Sequence, residues 1–195
     1  MLINEQFYSI QTEGYFAGTP ADFIRLQGCS VGCTWCDTKH SWSSKKGVEK
    51  SVAEIIGDLK SIGISNHVII TGGEPLEQDL SELILALISG GYFIAIETSG
   101  TEPLQEGINW ITCSPKNFKK KTLDSVLSFA DELKFIYTDE SDEEFIMNSL
   151  RKTGAKHAYI QPNYDNQEAT QKAVEYCKKT GFKLSLQMHK YIEIE

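Results

Sequence analysis

The sequence predicts an α/β protein built on a partial, remodelled (β/α)6-type barrel with a mainly parallel sheet. From residue 20 onward, short β-rich runs alternate with helical patterns over short connections, which is typical of a parallel sheet covered by helices. About six such units fit into this chain, whereas a complete eightfold barrel takes roughly 250 residues. No linker, low-complexity tract or internal repeat interrupts the pattern, so residues 1–195 are expected to form a single domain.

The predicted elements follow one another in a regular order. An N-terminal strand is expected around residues 7–10, and a strand over 23–26 leads into a long cysteine-containing loop. Ser51 and Glu54 form a capping box that begins a helix, which Gly63 ends. The remaining predicted elements are strands at 68–70, 92–96, 110–113, 133–137, 158–161 and 183–186, and helices at 79–89, 142–151 and 167–179.

The loops that follow the strands form the candidate site. In a parallel sheet, functional side chains collect beyond the carboxyl ends of the strands. In this sequence those loops are unusually polar and rich in glycine. They comprise residues 28–37, 71–75, 97–100, 114–116 and 161–162.

The charge and the apolar pattern exclude several classes of function. Lys and Arg number 19 and Asp and Glu number 27, which gives a formal net charge of −8. A protein that neutralises phosphates carries the opposite sign, so no nucleic-acid partner is expected. The longest apolar run, residues 83–88, is too short to cross a bilayer, and the N-terminus lacks the pattern of a signal peptide. We therefore expect no membrane association and a cytoplasmic location.

Three of the five cysteines, Cys29, Cys33 and Cys36, fall within eight residues. An odd count without an export signal argues against a disulfide framework and indicates metal ligands or redox groups. Three thiolates from one loop fit a structural zinc site completed by His40. They also fit a [4Fe-4S] cluster that leaves one iron open to an exogenous ligand, which is the interpretation we favour. The spacing alone does not separate these two chemistries.

The turn after the next strand favours the cluster. Residues 72–75 read Gly-Gly-Glu-Pro, and a diglycine followed by proline is expected to supply exposed backbone groups. An open iron that binds the amine and carboxylate of an amino acid needs such groups nearby, whereas a structural zinc loop does not. Trp35 lies between two of the cysteines, where it can shield a cluster or pack against a flat ring.

These motifs resemble those of the radical S-adenosylmethionine (SAM) enzymes, which share a Cys-x3-Cys-x2-Cys loop after the first barrel strand and a Gly-Gly-Glu-Pro turn. Further segments look like those of one family within that group, the 7-carboxy-7-deazaguanine synthases. The resemblance covers nearly the whole chain, from about residue 4 to the C-terminus. The segments that carry it are residues 10–14, 23–29, 35–39, 114–116, 161–162 and 184–190.

The resemblance implies an activity. Members of that family are lyases that convert 6-carboxy-5,6,7,8-tetrahydropterin to 7-carboxy-7-deazaguanine with loss of ammonia, a step toward queuosine in tRNA modification. An electron splits SAM on a [4Fe-4S] cluster, and the 5′-deoxyadenosyl radical removes hydrogen from the substrate. The resemblance also implies Mg2+, a flavodoxin- or ferredoxin-type electron donor and a homodimer.

The resemblance also implies roles for individual residues, none of which is a catalytic side chain because the cluster and SAM carry the chemistry. Cys29, Cys33 and Cys36 would hold the cluster, and Thr38 would bind Mg2+ together with the substrate carboxylate. SAM would contact Trp35, Cys36, Asp37, Gly73, Glu74, Glu97, Ser114, Pro115, Lys116 and Gln161. The pterin would contact Ile10, Gln11, Thr12, Arg25 and Thr71.

One of these positions departs from the family pattern. The family usually has the motif Gln-Gly-Glu-Gly at residues 11–14, and in this sequence Thr12 replaces the first glycine of that motif. A β-branched residue adds bulk there and would be strained at a positive φ, although its hydroxyl could replace a backbone contact. Glu13 and Glu97 fit either a site role or that of solvated carboxylates.

Two other functions remain open. A glycyl-radical activase is also a radical SAM enzyme, but its protein substrate would not require Gln11, Arg25 or Thr38. A non-catalytic zinc-binding module would require only the three cysteines and His40.

The remaining cysteines and histidines are expected to be structural. Cys113 and Cys177 lie in apolar segments and read as buried hydrophobic residues. His67, His157 and His189 do not cluster with carboxylates along the sequence.

Lysine clusters are candidate docking points on this acidic chain. An acidic electron donor would need a local basic patch, for which Lys45, Lys46 and residues 119–121 are the best candidates.

Overall fold

Strands of this protein join into one sheet in the computed structural model, which describes residues 1–117 and 119–194. Within those residues the strands are β1 (Leu2–Ile10), β2 (Pro20–Leu26), β3 (Val48–Glu49), β4 (His67–Gly72), β5 (Phe93–Thr98), β6 (Trp110–Cys113), β7 (Glu132–Tyr137), β8 (His157–Pro162) and β9 (Lys183–Leu184). The helices of the same residues are α1 (Val52–Ile62), α2 (Ser81–Ser89), α3 (Asp124–Phe129), α4 (Glu143–Leu150), α5 (Gln167–Thr180) and α6 (Met188–Ile192).

The sheet has the order β3-β1-β2-β4-β5-β6-β7-β8-β9. Every pairing from β2 to β9 is parallel, and β1 runs antiparallel to both β2 and β3. The two-residue strands β3 and β9 end the sheet, which does not close into a full barrel. The predicted fold class, a partial barrel with a mainly parallel sheet, is therefore confirmed.

The capping box of α1 forms as predicted. The Ser51 hydroxyl accepts a hydrogen bond from the Glu54 amide at 3.3 Å, and the Glu54 carboxylate accepts one from the Ser51 amide at 2.7 Å. The helix ends at Ile62 and is capped by Gly63, where a Cβ would lie 1.6 Å from a carboxylate oxygen of Asp22. Packing against Asp22, rather than a positive φ, therefore demands glycine at this position.

Several short elements escape prediction. Helices α3 and α6 have six and five residues, and strand β3 has two, so none is long enough for a hydrophobic period to show. The strand predicted at 183–186 is too long, because β9 ends at Leu184. The next residue, Ser185, donates its hydroxyl to the Gln161 side chain at 2.8 Å.

The outer face of the sheet packs against the helices in two apolar clusters. One joins β2, β4 and β5 to α1 and α2 through residues such as Ile24, Ile70, Leu59 and Leu83. The other joins β7 and β8 to α3, α4 and α5 and includes Phe135. These clusters hold the strands whose ends carry the site.

The inner face changes from apolar to polar along each strand. Phe23, Ile69 and Ala95 pack together on β2, β4 and β5. Because side chains on one face of a strand recur every second residue, Arg25, Thr71 and Glu97 lie on the same face, nearer the carboxyl ends. The inner face therefore offers an apolar floor below a polar rim.

The loop between β1 and β2 closes the amino end of this inner face with aromatic rings. The Tyr15 ring stacks on Trp110 at 4.8 Å between centroids and contacts His157 at 4.4 Å. The Phe16 ring meets His67 edge-on at 4.7 Å. These contacts agree with a structural role for His67 and His157.

Among the described residues, no helix combines the length and the apolar character needed to cross a bilayer.

Candidate active site

An open cavity of about 270 Å³ lies at the polar rim of the inner face. Nearly all of the predicted site residues line it, which brings together loops from distant parts of the chain. The predicted residues that line the cavity are Ile10, Gln11, Thr12, Arg25, Cys29, Cys33, Trp35, Cys36, Asp37, Thr38, Thr71, Gly73, Glu74, Glu97, Ser114, Lys116 and Gln161. Pro115 is buried beside the cavity and does not contribute to its lining.

The cysteine loop folds back on itself after β2. The amides of Gly28 and Cys29 donate to the carbonyls of Ser41 and Trp42 at 2.7 and 3.1 Å, which closes the loop at its base. Gly28 adopts a φ of +109°, which is strained for other residues. The three thiols are free and line one cavity, as a ligand set from a single loop requires.

Burial governs the acidity of two of these thiols. Desolvation raises the pKa of both Cys29 and Cys33, and the nearby Lys116 ammonium partly offsets the effect at Cys33. A bound iron centre would reverse this balance, because metal ligation by cysteine deprotonates the thiol.

Three free cysteines from one loop are the donor set that a [4Fe-4S] cluster with one open iron requires. In the described part of the chain, no three Cys, His, Asp or Glu side chains are placed to hold one metal ion. A tetrahedral zinc draws every sulfur to about 2.3 Å from one point, whereas a cubane binds each thiolate to a different iron. His40 is exposed and does not line the cavity, so the zinc site that it would complete finds no support here.

The Gly-Gly-Glu-Pro turn packs directly against the cysteine loop. The amides of Gly73 and Glu74 donate to the carbonyls of Leu26 and Gly28 at 3.1 and 3.0 Å. A Cβ on Gly73 would lie 2.0 Å from the Gly28 oxygen, so only glycine permits this approach. These two N–H groups are used to hold the turn against the end of β2 and the start of the cysteine loop, and the expectation that the turn offers exposed backbone groups to a ligand stays a prediction.

Glu74 ties the ends of β4 and β5 together. Its buried carboxylate accepts from the Thr98 hydroxyl at 2.5 Å, from the Ser99 amide at 2.8 Å and from the Ser99 hydroxyl. It also accepts from the amide of Leu76 at 3.1 Å. These bonds give Glu74 a clear structural role, and its contact with SAM stays a prediction.

A buried charge network forms a second part of the cavity wall, separate from the cysteine loop. The Lys134 ammonium lies 2.6 Å from Glu13 Oε2 and 2.9 Å from Glu97 Oε2. The Gln11 and Gln161 amides each donate at 3.0 Å, to Glu97 and Glu13 respectively. The three charged side chains are only 10%, 13% and 20% exposed, so the solvated interpretation of Glu13 and Glu97 is wrong.

The two carboxylates of this network titrate differently. Burial opposes ionisation of Glu13, but Lys134, Gln161 and His189 outweigh it and lower the pKa of Glu13. At Glu97, burial and the charge of Glu13 outweigh Lys134, so its pKa is raised. Burial disfavours the charged form of Lys134, but the two carboxylates prevail and raise its pKa. Sequence reasoning missed Lys134, which has no motif around it.

The loop that follows β1 reaches the cavity from the edge of the sheet where the parallel strands begin. It carries Gln11, Thr12 and Glu13. Strand β1 is antiparallel to β2, so the loop that follows β1 begins at the amino ends of the parallel strands and crosses the inner face. Positive φ values outside glycine occur at Asp165 and Glu193 but not at Thr12 within the described residues. Thr12 is therefore accommodated without the strain that a positive φ would impose.

His189 belongs to the site, and its interpretation as a residue remote from carboxylates is wrong. Its Nδ1 lies 2.8 Å from the Thr12 hydroxyl and 3.8 Å from Glu13 Oε1, and its ring lines the cavity. Burial lowers the pKa of His189, and the charges of Glu13 and Asp37 partly offset this. The motif at 184–190 was visible in the sequence, but its contacts were not.

The same C-terminal segment holds Asp37 of the cysteine loop. The Gln187 amide donates to Asp37 Oδ2 at 2.5 Å, and the Lys190 ammonium lies 2.9 Å from it. Burial opposes ionisation of Asp37, but Lys190 and Gln187 outweigh it and lower the pKa of this carboxyl. The segment therefore fastens the cysteine loop to the wall formed by Thr12 and Glu13.

Cations border the cavity on two sides. Arg25 Nε donates to Glu5 Oε1 at 2.6 Å, which orients the guanidinium along the inner face. The Lys116 ammonium donates to the carbonyl and hydroxyl of Ser114, each at 2.7 Å. Burial lowers the pKa of Lys116, while the neighbouring Cys33 and Cys113 act in the opposite direction.

The two cysteines outside the loop lie apart from the cavity. Cys113 is fully buried, and desolvation raises its pKa to about 12, as expected for a hydrophobic side chain. Cys177 is half-buried against the apolar cluster of β7 and β8.

The lysine clusters differ in their surroundings. Lys120 lies 3.2 Å from Glu77 and 2.6 Å from Glu102, so the central lysine of the cluster at 119–121 is paired with carboxylates. Lys45 and Lys46 are exposed and directly follow the cysteine loop.

Comparisons with known proteins agree with this geometry. The sequence profile of the Radical SAM superfamily matches residues 23–190. The chain is 39% identical to the 7-carboxy-7-deazaguanine synthase of Buchnera aphidicola subsp. Schizaphis graminum, with 98% of each chain covered. It is 40% identical to the enzyme of that name from Bacteroides thetaiotaomicron, with 98% of this chain and 97% of the relative covered. The crystal structure of QueE from Escherichia coli superposes with a TM-score of 0.85 at 34% identity, covering 95% of this chain and 93% of that one.

Proposed function

This chain belongs to the 7-carboxy-7-deazaguanine synthase family of the radical SAM superfamily, and from that premise we propose how its cavity is used. The reaction converts 6-carboxy-5,6,7,8-tetrahydropterin to 7-carboxy-7-deazaguanine with loss of ammonia. One observation carries this proposal. The cysteine loop, which packs against the Gly-Gly-Glu-Pro turn, and the buried network of Glu13, Glu97 and Lys134 line a single cavity.

The cofactors occupy the side of the cavity formed by the cysteine loop. Cys29, Cys33 and Cys36 hold a [4Fe-4S] cluster, which together with SAM supplies the radical that removes hydrogen from the substrate. The Lys116 ammonium, held by Ser114 and close enough to Cys33 to affect its pKa, suits the SAM carboxylate. The remaining SAM contacts proposed are Trp35, Cys36, Asp37, Gly73, Glu74, Glu97, Pro115 and Gln161.

The pterin occupies the side formed by the buried charge network. A pterin edge presents N–H donors beside a carbonyl acceptor. The carboxylate of Glu13 can accept from such donors, and the side-chain amide of Gln11 can donate to the acceptor. Ile10, Thr12, Arg25 and Thr71 complete the proposed pterin contacts on the same face.

Thr38 is proposed to bind Mg2+ between the two sides. Its side chain lines the cavity, and its hydroxyl lies 3.5 Å from Cys36 Sγ. A neutral hydroxyl suits a magnesium site that takes few protein ligands and is completed by water and substrate oxygens. Metal and substrate carboxylate should therefore bind cooperatively.

We also propose that an acidic flavodoxin- or ferredoxin-type protein delivers the electron beside Lys45 and Lys46. These lysines are exposed next to the cysteine loop, whereas Lys120 is paired with carboxylates. Charge reversal at Lys45 and Lys46 should slow turnover with flavodoxin and leave turnover with a chemical reductant unchanged. Equal rates with flavodoxin would remove this docking site.

The assembly and location are proposed as follows. Residues 1–195 act as one domain in the cytoplasm, where clustered thiols stay reduced. A homodimer is proposed from the family resemblance, and the exposed apolar side chains Ile64, Leu85 and Ile88 are candidates for its interface.

An anaerobic reaction tests the function as a whole. Reconstituted protein is incubated with SAM, reductant, Mg2+ and 6-carboxy-5,6,7,8-tetrahydropterin, and the product is identified by mass. Formation of the deazapurine supports the proposal, because a glycyl-radical activase would cleave SAM without forming it. A colourless protein that carries zinc alone would refute it.

A further inference from the structure

The side chain of Trp42 contacts the cysteine loop and has no role in the function proposed above. Its indole Nε1–H donates a hydrogen bond to Cys36 Sγ, with nitrogen and sulfur 3.3 Å apart. The backbone carbonyl of the same residue accepts from the Cys29 amide at 3.1 Å. Trp42 is therefore fixed to both ends of the loop that carries the three thiols.

The orientation of this indole is not required by burial. Trp42 is only half-buried and lines the cavity, so its N–H could be satisfied by water. Instead it is directed at sulfur, a weak acceptor while it is a neutral thiol. The hydrogen bond becomes charge-assisted when Cys36 is a thiolate, which is its state as an iron ligand.

A hydrogen bond to a cluster sulfur favours the reduced state of the cluster. Reduction adds one electron and no proton, so negative charge accumulates on the irons and their sulfur ligands. A donor N–H stabilises that charge and raises the reduction potential. Lys39 Nζ lies 6.0 Å from the centre of the Trp42 ring, where its positive charge strengthens the indole as a donor.

We propose that Trp42 is a positioning residue that raises the reduction potential of the cluster through its hydrogen bond to Cys36 Sγ. The inference rests on the proposed function, because it concerns the cluster that these cysteines hold. Its consequence is that a protein donor of a given potential reduces a larger fraction of the enzyme than it would without the indole.

A redox titration of the full-length, anaerobically reconstituted protein tests the inference. In Trp42→Phe, the ratio of reduced to oxidised cluster at a fixed applied potential should fall about tenfold, which corresponds to 59 mV for one electron. The signal of the reduced cluster in electron paramagnetic resonance reports this ratio independently of turnover. Iron and sulfide content should equal those of the wild type.

Trp110→Phe is the matched control. Its indole donates to the Thr112 hydroxyl at 3.2 Å, among the aromatic rings that close the amino end of the inner face. The same substitution there should leave the potential unchanged. A Trp42→Phe protein that titrates like the wild type would overturn the inference and leave the proposed function intact.

A second measurement does not need a Trp42 variant and tests the inference even if Trp42→Phe protein does not bind the cluster. In Trp35→Phe protein with 15N-indole tryptophan, electron-nuclear double resonance should detect a 15N coupling to the reduced cluster, because Trp42 is then the remaining tryptophan of the loop. Absence of that coupling in loaded protein would overturn the inference. Failure of the wild-type protein to form a [4Fe-4S] cluster would overturn the proposed function and the inference with it.

Discussion

Replacing Lys134 with methionine should destabilise the protein strongly and make its stability depend on pH. The ammonium lies 2.6 Å from Glu13 and 2.9 Å from Glu97 and is 10% exposed. Removing one partner of a buried ion pair costs about 3–5 kcal/mol, because the remaining charge is buried without compensation. With about 2–4 °C lost per kcal/mol in a chain of this size, the melting temperature should fall by roughly 6–20 °C.

The sign of the pH dependence follows from the carboxylates that remain. Burial already raises the pKa of Glu97, and without Lys134 the pKa of Glu13 should also rise above its unfolded value of about 4.3. A carboxyl whose folded pKa is raised favours the folded state at low pH and destabilises it as the pH rises. Urea unfolding of the metal-free variant should therefore show a smaller loss at pH 5.5 than at pH 8.

Two further variants make this prediction refutable. Lys152→Met removes an exposed cation 2.9 Å from Asp124, and the loss should be about 0–1 kcal/mol. Adding Glu97→Gln to the Lys134→Met protein should restore part of the lost stability at pH 8. A loss for Lys134→Met that is the same at both pH values, with no recovery from Glu97→Gln, would refute a buried charge network.

Three shorter predictions concern the cysteine loop. Gly73→Ala would place a Cβ 2.0 Å from the Gly28 oxygen and should displace the cysteine loop, which lowers both the iron content and the melting temperature. Gly57→Ala in α1, where a Cβ would meet open space, should instead stabilise the protein by about 0.5–1 kcal/mol. Equal effects of the two substitutions would contradict the close approach of Gly73 to Gly28. Cys33→Ala should abolish cluster binding and SAM cleavage together, as measured by iron analysis and by chromatography of the cleavage products, and retained cleavage would remove Cys33 from the ligand set. Thr38→Ala should keep the cluster while weakening Mg2+ stimulation and substrate binding, and loss of iron in this variant would make Thr38 structural.

Local patterns in the sequence were enough to predict the class of fold and the half of the site that contains the cysteines. The capping box of Ser51 and Glu54 and the alternation of strands and helices depend on neighbouring residues, so they can be read directly. The spacing of Cys29, Cys33 and Cys36 is likewise local, since one loop carries all three ligands. Helices of five or six residues could not be predicted, because they are too short to show a period.

The opposite half of the site was decided by tertiary structure. Glu13, Glu97 and Lys134 come from the loop after β1, from β5 and from β7, and no spacing along the chain relates them. They meet because β1 runs antiparallel to its neighbours and sends its loop across the inner face of the sheet. His189 meets the loop after β1 because the C-terminal segment packs over that loop, and this contact is also decided by tertiary structure. Sequence spacing determines which groups one loop can present, but strand order and direction determine which loops meet, and only that meeting turns separate carboxylates and a lysine into a buried network.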